Sequence, residues 1–145
     1  LRASNVEVLM TRDDDAFIEL EDRPAVGNDA DADLFISLHS DSAENRQARG
    51  FTIYISRTPS RQCQRLGNAL AAQLELADVE SRGVKEQDYR VLVHSEAPAA
   101  LVELGFLSNR QDAEALAEPL YQDRLAKAIT AGILSQLPLA IDDLD

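Results

Sequence analysis

Leu34-Phe35-Ile36-Ser37-Leu38 is a short apolar run with a single polar residue, and it ends at His39. It is too short for a helix, and it lacks the alternation of a half-exposed strand. That pattern fits a strand covered on both faces, as in a parallel sheet. Upstream, Val6–Met10 is a second short β-rich segment running into the charged cluster Thr11–Asp15. The stretch Leu20–Asp29 then reads as a helix, with Pro24 in its first turn, where a missing N–H breaks no internal hydrogen bond. Downstream, Phe51, Ile53 and Ile55 alternate with Thr52, Tyr54 and Ser56, which predicts a half-exposed strand. Thr58 and Pro59 mark a helix start, and Cys63, Leu66, Leu70 and Leu74 continue at helical spacing. Past a polar connection containing Gly83, Arg90–His94 and Ala99–Phe106 read as two successive strands separated by Pro98. Asn109 with Asp112 resembles a capping pair for a helix carrying Ala113, Leu116 and Ala117. The last helix is predicted over Leu120–Leu137, with Leu125, Ile129, Ile133 and Leu137 on one face.

Strands alternating with helices define an α/β layered domain, with a mostly parallel twisted sheet and helices on both faces. The domain is assigned to residues 1–138, with 139–145 as an acidic tail. At 145 residues the chain is long enough for one core, since a domain of about 150 residues buries roughly 68–70% of its unfolded surface. Fourteen basic against 26 acidic side chains give a net charge of -12. This argues against nucleic-acid binding, which needs Lys and Arg to displace phosphate counterions. The one cysteine, Cys63, excludes an intrachain disulfide and lies on the apolar face of its helix, where packing is its expected role. No apolar run reaches the roughly 18 residues of a membrane span, and the amino terminus lacks the regions of a signal peptide, so the chain reads as soluble.

Two residues stand out chemically. Glu103 interrupts the apolar run Ala99–Phe106. A carboxylate there pairs with a cation or metal, rises in pKa, or faces water from an edge strand; the first two suit a general base or acid. His39 ends a buried strand, where open α/β sheets place ligand-binding groups. A neutral imidazole is a good zinc ligand, but one histidine does not make a metal site, and a hydrogen-bonded strand-end histidine is equally compatible. Ser40, Asp41 and Ser42 begin a turn. His94 is assigned no metal role, and Asp13–Asp15 lacks the glycine and distal glutamate of an EF-hand loop. The chain has no glycine-rich phosphate loop and no serine nucleophile elbow.

Taken together, LMTRDDD, ADADLFISLHSDSA, RGVKEQDYRVLVHSEAPAALVELGFLSN and YQDRLAKAITAGI resemble, in order along nearly the whole chain, the zinc-dependent N-acetylmuramoyl-L-alanine amidase family of the amidase_3 type. FISLH and LVELGFLSN are the most specific pieces. The resemblance implies that His39 is a zinc ligand and Glu103 the catalytic carboxylate. The implied reaction is cleavage of the amide between N-acetylmuramic acid and the L-alanine of the peptidoglycan stem, in the periplasm or outside the cell. Family members open with a strand carrying a zinc histidine and a helix headed by a zinc glutamate, and neither is found here. The resemblance therefore implies a fragment with one of three protein zinc ligands, and an exposed sheet edge and helix-binding face. Asp41 replaces the usual asparagine. The short connection Glu80–Tyr89 leaves no room for the autoinhibitory helix of regulated members. Two other readings are a non-catalytic module that binds peptidoglycan or a protein partner, and another metal-dependent amidohydrolase acting on small acyl-amino acids.

Overall fold

The structure, a computed structural model, describes residues 1–137. The acidic tail 139–145 and residue 138 lie outside the described residues. Four strands, β1 (Phe35–Asp41), β2 (Phe51–Ile55), β3 (Ser81–Glu86) and β4 (Ala99–Phe106), form one sheet in the order β1-β4-β2-β3. The β1–β4 and β2–β3 ladders are parallel, and the central β2–β4 ladder is antiparallel. The helices are α1 (Asp22–Asn28), α2 (Arg61–Leu76), α3 (Arg90–Val93), α4 (Arg110–Ala117) and α5 (Pro119–Leu134), with a 3-10 turn at Arg2–Ser4.

The larger core lies on one face of the sheet. Phe51 and Ile53 of β2 and Ala100 and Val102 of β4 meet Leu66, Leu70 and Leu74 of α2 and Leu125, Ile129 and Ile133 of α5. α2 and α5 pack closely because Gly132 has no side chain; a Cβ there would lie 3.0 Å from Leu70 Cδ2. On the other face, Phe35, Ala99 and Leu101 meet Val91 and Leu92 of α3, with Tyr54 against them. Asn28 joins α1 to this layer, donating from Nδ2 to the His94 carbonyl and accepting from the Glu96 N–H. Both faces of the sheet are therefore covered by helices, one thickly and one thinly.

Several sequence expectations are corrected. Val6–Met10 is irregular rather than a strand; it joins no ladder among the described residues, and Leu9 and Met10 are exposed. β1 runs on to Asp41 and is not covered on both faces. It is an edge strand, with Leu38 over half exposed at a groove of about 510 Å³ that Leu104, Leu107, Leu116 and Leu125 also line. β2, by contrast, is central rather than half-exposed, and only Tyr54 of its five residues escapes full burial. The polar connection contains β3, whose mostly exposed residues Ser81–Glu86 hide an edge strand from any hydrophobic pattern. Arg90–His94 is not a strand. β4 already has a neighbour on each edge, so this segment closes as one helical turn, with Leu92 and Val93 donating to the Tyr89 carbonyl.

Helix boundaries also shift. α2 starts two residues later than Thr58-Pro59 suggests, because Ser60 Oγ accepts from Cys63 N at 3.1 Å and caps it. Ser60 Oγ also lies 3.3 Å from the half-buried Cys63 Sγ. Asn109 caps α4 as expected, accepting from Gln111 N and Asp112 N. Asp112 does not reach back to complete a capping box. Its Oδ2 accepts from Gly50 N at 2.8 Å and Phe106 N at 2.9 Å, tying the start of α4 to the ends of β2 and β4.

Candidate active site

His39 and Glu103 are register partners on β1 and β4, and Glu103 is in turn the partner of Thr52 on β2. Register partners share a sheet face, and the period of two places Ser37 and Asp41 beside His39, Leu101 below Glu103, and Tyr54 beside Thr52. The two residues singled out in the sequence thus stand side by side on the thinly covered face. The chain folds this way because Ile36, Ala100 and Val102 fill the opposite core, which leaves the intervening positions on the other face of the sheet.

Glu103 is half-buried, and its Oε2 is fully enclosed without a hydrogen-bond partner. Burial, with the nearby Asp41 carboxylate second, pushes its pKa up to about 7 from an ordinary 4.5. Asp41 thus adds a second negative charge that favours the protonated form of Glu103. His39 shifts the other way. Burial, followed by the Arg23 and Arg12 charges, lowers its pKa below 6.5, which keeps the imidazole neutral at pH 7. Its Nε2 lies 2.8 Å from Ser37 Oγ.

Tyr89 completes the wall. Its ring meets that of Tyr54 edge to face, with centroids 5.2 Å apart. Burial, Tyr54, Glu103 and Asp41 all raise its pKa, so the phenol remains protonated. Sequence reading missed Thr52 and Tyr54 because β2 was read as a half-exposed strand, and Tyr89 because it closes the polar connection Glu80–Tyr89. The period itself was the available signal, since it separates Thr52 and Tyr54 from Phe51 and Ile53. The remaining candidates lie apart: His94 is exposed at the end of α3, and Asp13–Asp15 form an exposed bend. Cys63 sits on α2.

The donor set was tested against the zinc that the resemblance implies. His39 suits the metal, being a neutral imidazole next to an unpartnered carboxylate. Among the described residues, however, no group of three or more His, Cys, Asp or Glu side chains is placed to hold a metal ion. Catalytic zinc takes three protein ligands. The described residues therefore do not complete a zinc site.

The raised Glu103 pKa has a consequence for stability. The native state holds this proton more tightly than the unfolded chain, so the stabilisation is complete below about pH 4.5 and is lost as the pH rises through about 7. In chelator-treated protein, Glu103→Gln is expected to melt close to the parent below about pH 4.5 and increasingly above it as the pH rises to about 7, with the difference constant beyond that. A melting difference that does not change with pH would remove the strained carboxylate.

Comparison with known proteins agrees with this geometry. The Amidase_3 profile, N-acetylmuramoyl-L-alanine amidase, matches residues 1–135. The protein YqiI of Bacillus subtilis is 35% identical over 92% of this chain and 65% of its own length. N-acetylmuramoyl-L-alanine amidase LytC of the same organism is 33% identical over 93% of this chain and 28% of its own. The probable cell wall amidase LytH of Staphylococcus aureus is 33% identical over 92% and 43%. The chain thus spans between about a quarter and two thirds of these relatives. Among solved structures, the N-acetylmuramoyl-L-alanine amidase of Clostridium difficile 630 superposes with a TM-score of 0.86 at 30% identity, over 89% of this chain and 70% of that one. The α/β sheet with His39 and Glu103 abreast on adjacent strands, and the sequence match over residues 1–135, place this chain in the Amidase_3 family of N-acetylmuramoyl-L-alanine amidases.

Proposed function

We propose that this domain hydrolyses the amide joining N-acetylmuramic acid to the L-alanine of the peptidoglycan stem, with Glu103 as its general base and acid. The observation that carries the reading is the enclosed, unpartnered Glu103 carboxylate on the thinly covered face of the sheet, next to His39. With a pKa near 7, Glu103 has both protonation states available at neutral pH, which suits a group that must first take a proton and then return it. Glu103 removes a proton from water as its oxygen bonds to the lactyl carbonyl carbon. It then donates that proton to the amide nitrogen as the C–N bond breaks, leaving a carboxylic acid and a free alanyl amine.

The family and the relatives named as cell wall amidases support peptidoglycan as substrate and the cell envelope, periplasmic or extracellular, as location. No helix of the described residues is long and apolar enough to cross a membrane. Zinc is proposed as the metal, with His39 as the donor this chain contributes. When bound, zinc would supply Lewis acidity to the carbonyl and lower the pKa of water. Because the described donors are incomplete, the steps above run through Glu103 alone.

A second reading is a non-catalytic module that keeps the scaffold and binds peptidoglycan. Purified muropeptides discriminate the two. Release of free stem peptide with a new alanyl amino terminus supports the amidase, and binding without release supports the module. Elemental analysis after dialysis tests the metal role. Zinc retained by the chain is expected to be lost in His39→Ala. Zinc content unchanged in His39→Ala would remove His39 as a donor.

A further inference from the structure

The row His39, Glu103, Thr52 continues onto β3. Ser81 is the partner of Phe51 and Val84 of Ile53, so Arg82 and Gly83 together stand opposite Thr52 in a bulge. Gly83 has a φ of +78° and carries the extra residue of that bulge. Arg82 does not extend away from the sheet. Its guanidinium carbon lies 5.1 Å from the centroid of the Phe106 ring, and Phe106 is the register partner of Asp41. A cation held over an aromatic face keeps its N–H donors free in the ring plane's surroundings. Among the described residues Arg82 makes no ion pair, although the chain carries 26 acidic side chains.

Charges of both signs stand along the row: Asp41 and Glu103 on β1 and β4, where Arg23 and Arg12 also act on His39, and Arg82 with Lys85, opposite Tyr54, on β3. Adjacent strands lie about 4.8 Å apart, which puts the β3 backbone roughly 10 Å from that of Glu103. Arg82 reaches back across part of that gap toward Phe106. A peptide advances about 3.3–3.6 Å per residue, so a carboxylate on the residue after alanine lies within about 7 Å of the scissile nitrogen. Such a carboxylate can meet the guanidinium that Arg82 holds over Phe106.

Resting on the amidase reading, we propose that Arg82 determines specificity by binding a carboxylate on the stem residue that follows L-alanine. A guanidinium fork matches a carboxylate in geometry as well as charge. The site is open, so the preference is the modest one of an exposed pair, about fivefold in affinity.

Binding, rather than turnover, tests this. The full chain carrying Glu103→Gln, which halts hydrolysis, is titrated calorimetrically with N-acetylmuramoyl-L-alanyl-D-glutamate and with its diamide, in which both carboxyls are carboxamides. The acid is expected to bind about fivefold more tightly. Adding Arg82→Gln should erase that preference, and adding Arg124→Gln, a cation over Tyr121 on α5, should leave it intact. Equal binding of acid and diamide, a preference that survives Arg82→Gln, or binding of neither ligand would each overturn the proposal. Hydrolysis of the acid by the parent chain is measured separately. A preference that depends on Arg82, without hydrolysis, supports this inference while the amidase reading fails.

Discussion

Glu103→Gln is expected to reduce release of stem peptide from muropeptides by about 10²–10⁴-fold, the range that a positioned general acid–base group contributes. Glutamine keeps nearly the same shape and fills the same half-buried position between His39 and Thr52. It cannot take a proton from water or return one to the amide nitrogen. The substitution also removes the burial and charge repulsion that raise the carboxyl pKa to about 7, so the variant should fold at least as well as the parent. Loss of turnover with unchanged or higher melting temperature therefore isolates the chemical role. Turnover within a few-fold of the parent would take Glu103 out of the reaction. A loss accompanied by unfolding would contradict the strain argument.

The largest effect on stability is expected at Phe51. This residue is fully buried as the first residue of β2, where its N–H donates to the Glu80 carbonyl and its ring joins the core shared with α2 and α5. Truncating a buried phenylalanine to alanine costs about 3–5 kcal/mol, through lost burial and the cavity left behind. Domains of this kind have about 5–15 kcal/mol in total, so Phe51→Ala should lie near the edge of folding. Urea unfolding measures it: the midpoint should fall steeply with little change in slope. Leu120→Ala is the matched comparison, since Leu120 is 86% exposed and its removal should shift stability by no more than about 0.5 kcal/mol. Similar midpoints for the two variants would mean that the core is not centred on β2.

The parts of the fold legible in the sequence were those with a strong period or a strong cap. Leu66, Leu70 and Leu74 on α2, Leu125, Ile129 and Ile133 on α5, and Asn109 ahead of α4 all lie where spacing placed them. The apolar run Ala99–Phe106 is a strand, and Glu103 within it has an enclosed oxygen, as an interruption of such a run implies. Gly105 in that run is explained only by the fold, because a Cβ there would meet Asp112 Oδ2 at 3.0 Å.

Short segments were misread where neighbours, not composition, decide. Arg90–Val93 and Val6–Met10 have strand-like residues but form no ladder among the described residues; Arg90–Val93 satisfies its backbone groups as a helical turn instead. Ser81–Glu86 has almost no hydrophobic signal, yet the open edge of β2 recruits it. The sequence by itself determined that this is an α/β domain of strands alternating with helices, which two residues carry the strongest chemical potential, and, through FISLH and LVELGF, the family. Those features rest on local periodicity and on side-chain chemistry, which a linear reading contains. Only the tertiary structure decided that His39 and Glu103 are abreast, that Asp41 and burial together raise the Glu103 pKa, that Tyr54 and Tyr89 line the same face, and that Arg82 lies over Phe106. Each depends on the register between strands distant in sequence, and register is set by the mutual fit of the two cores.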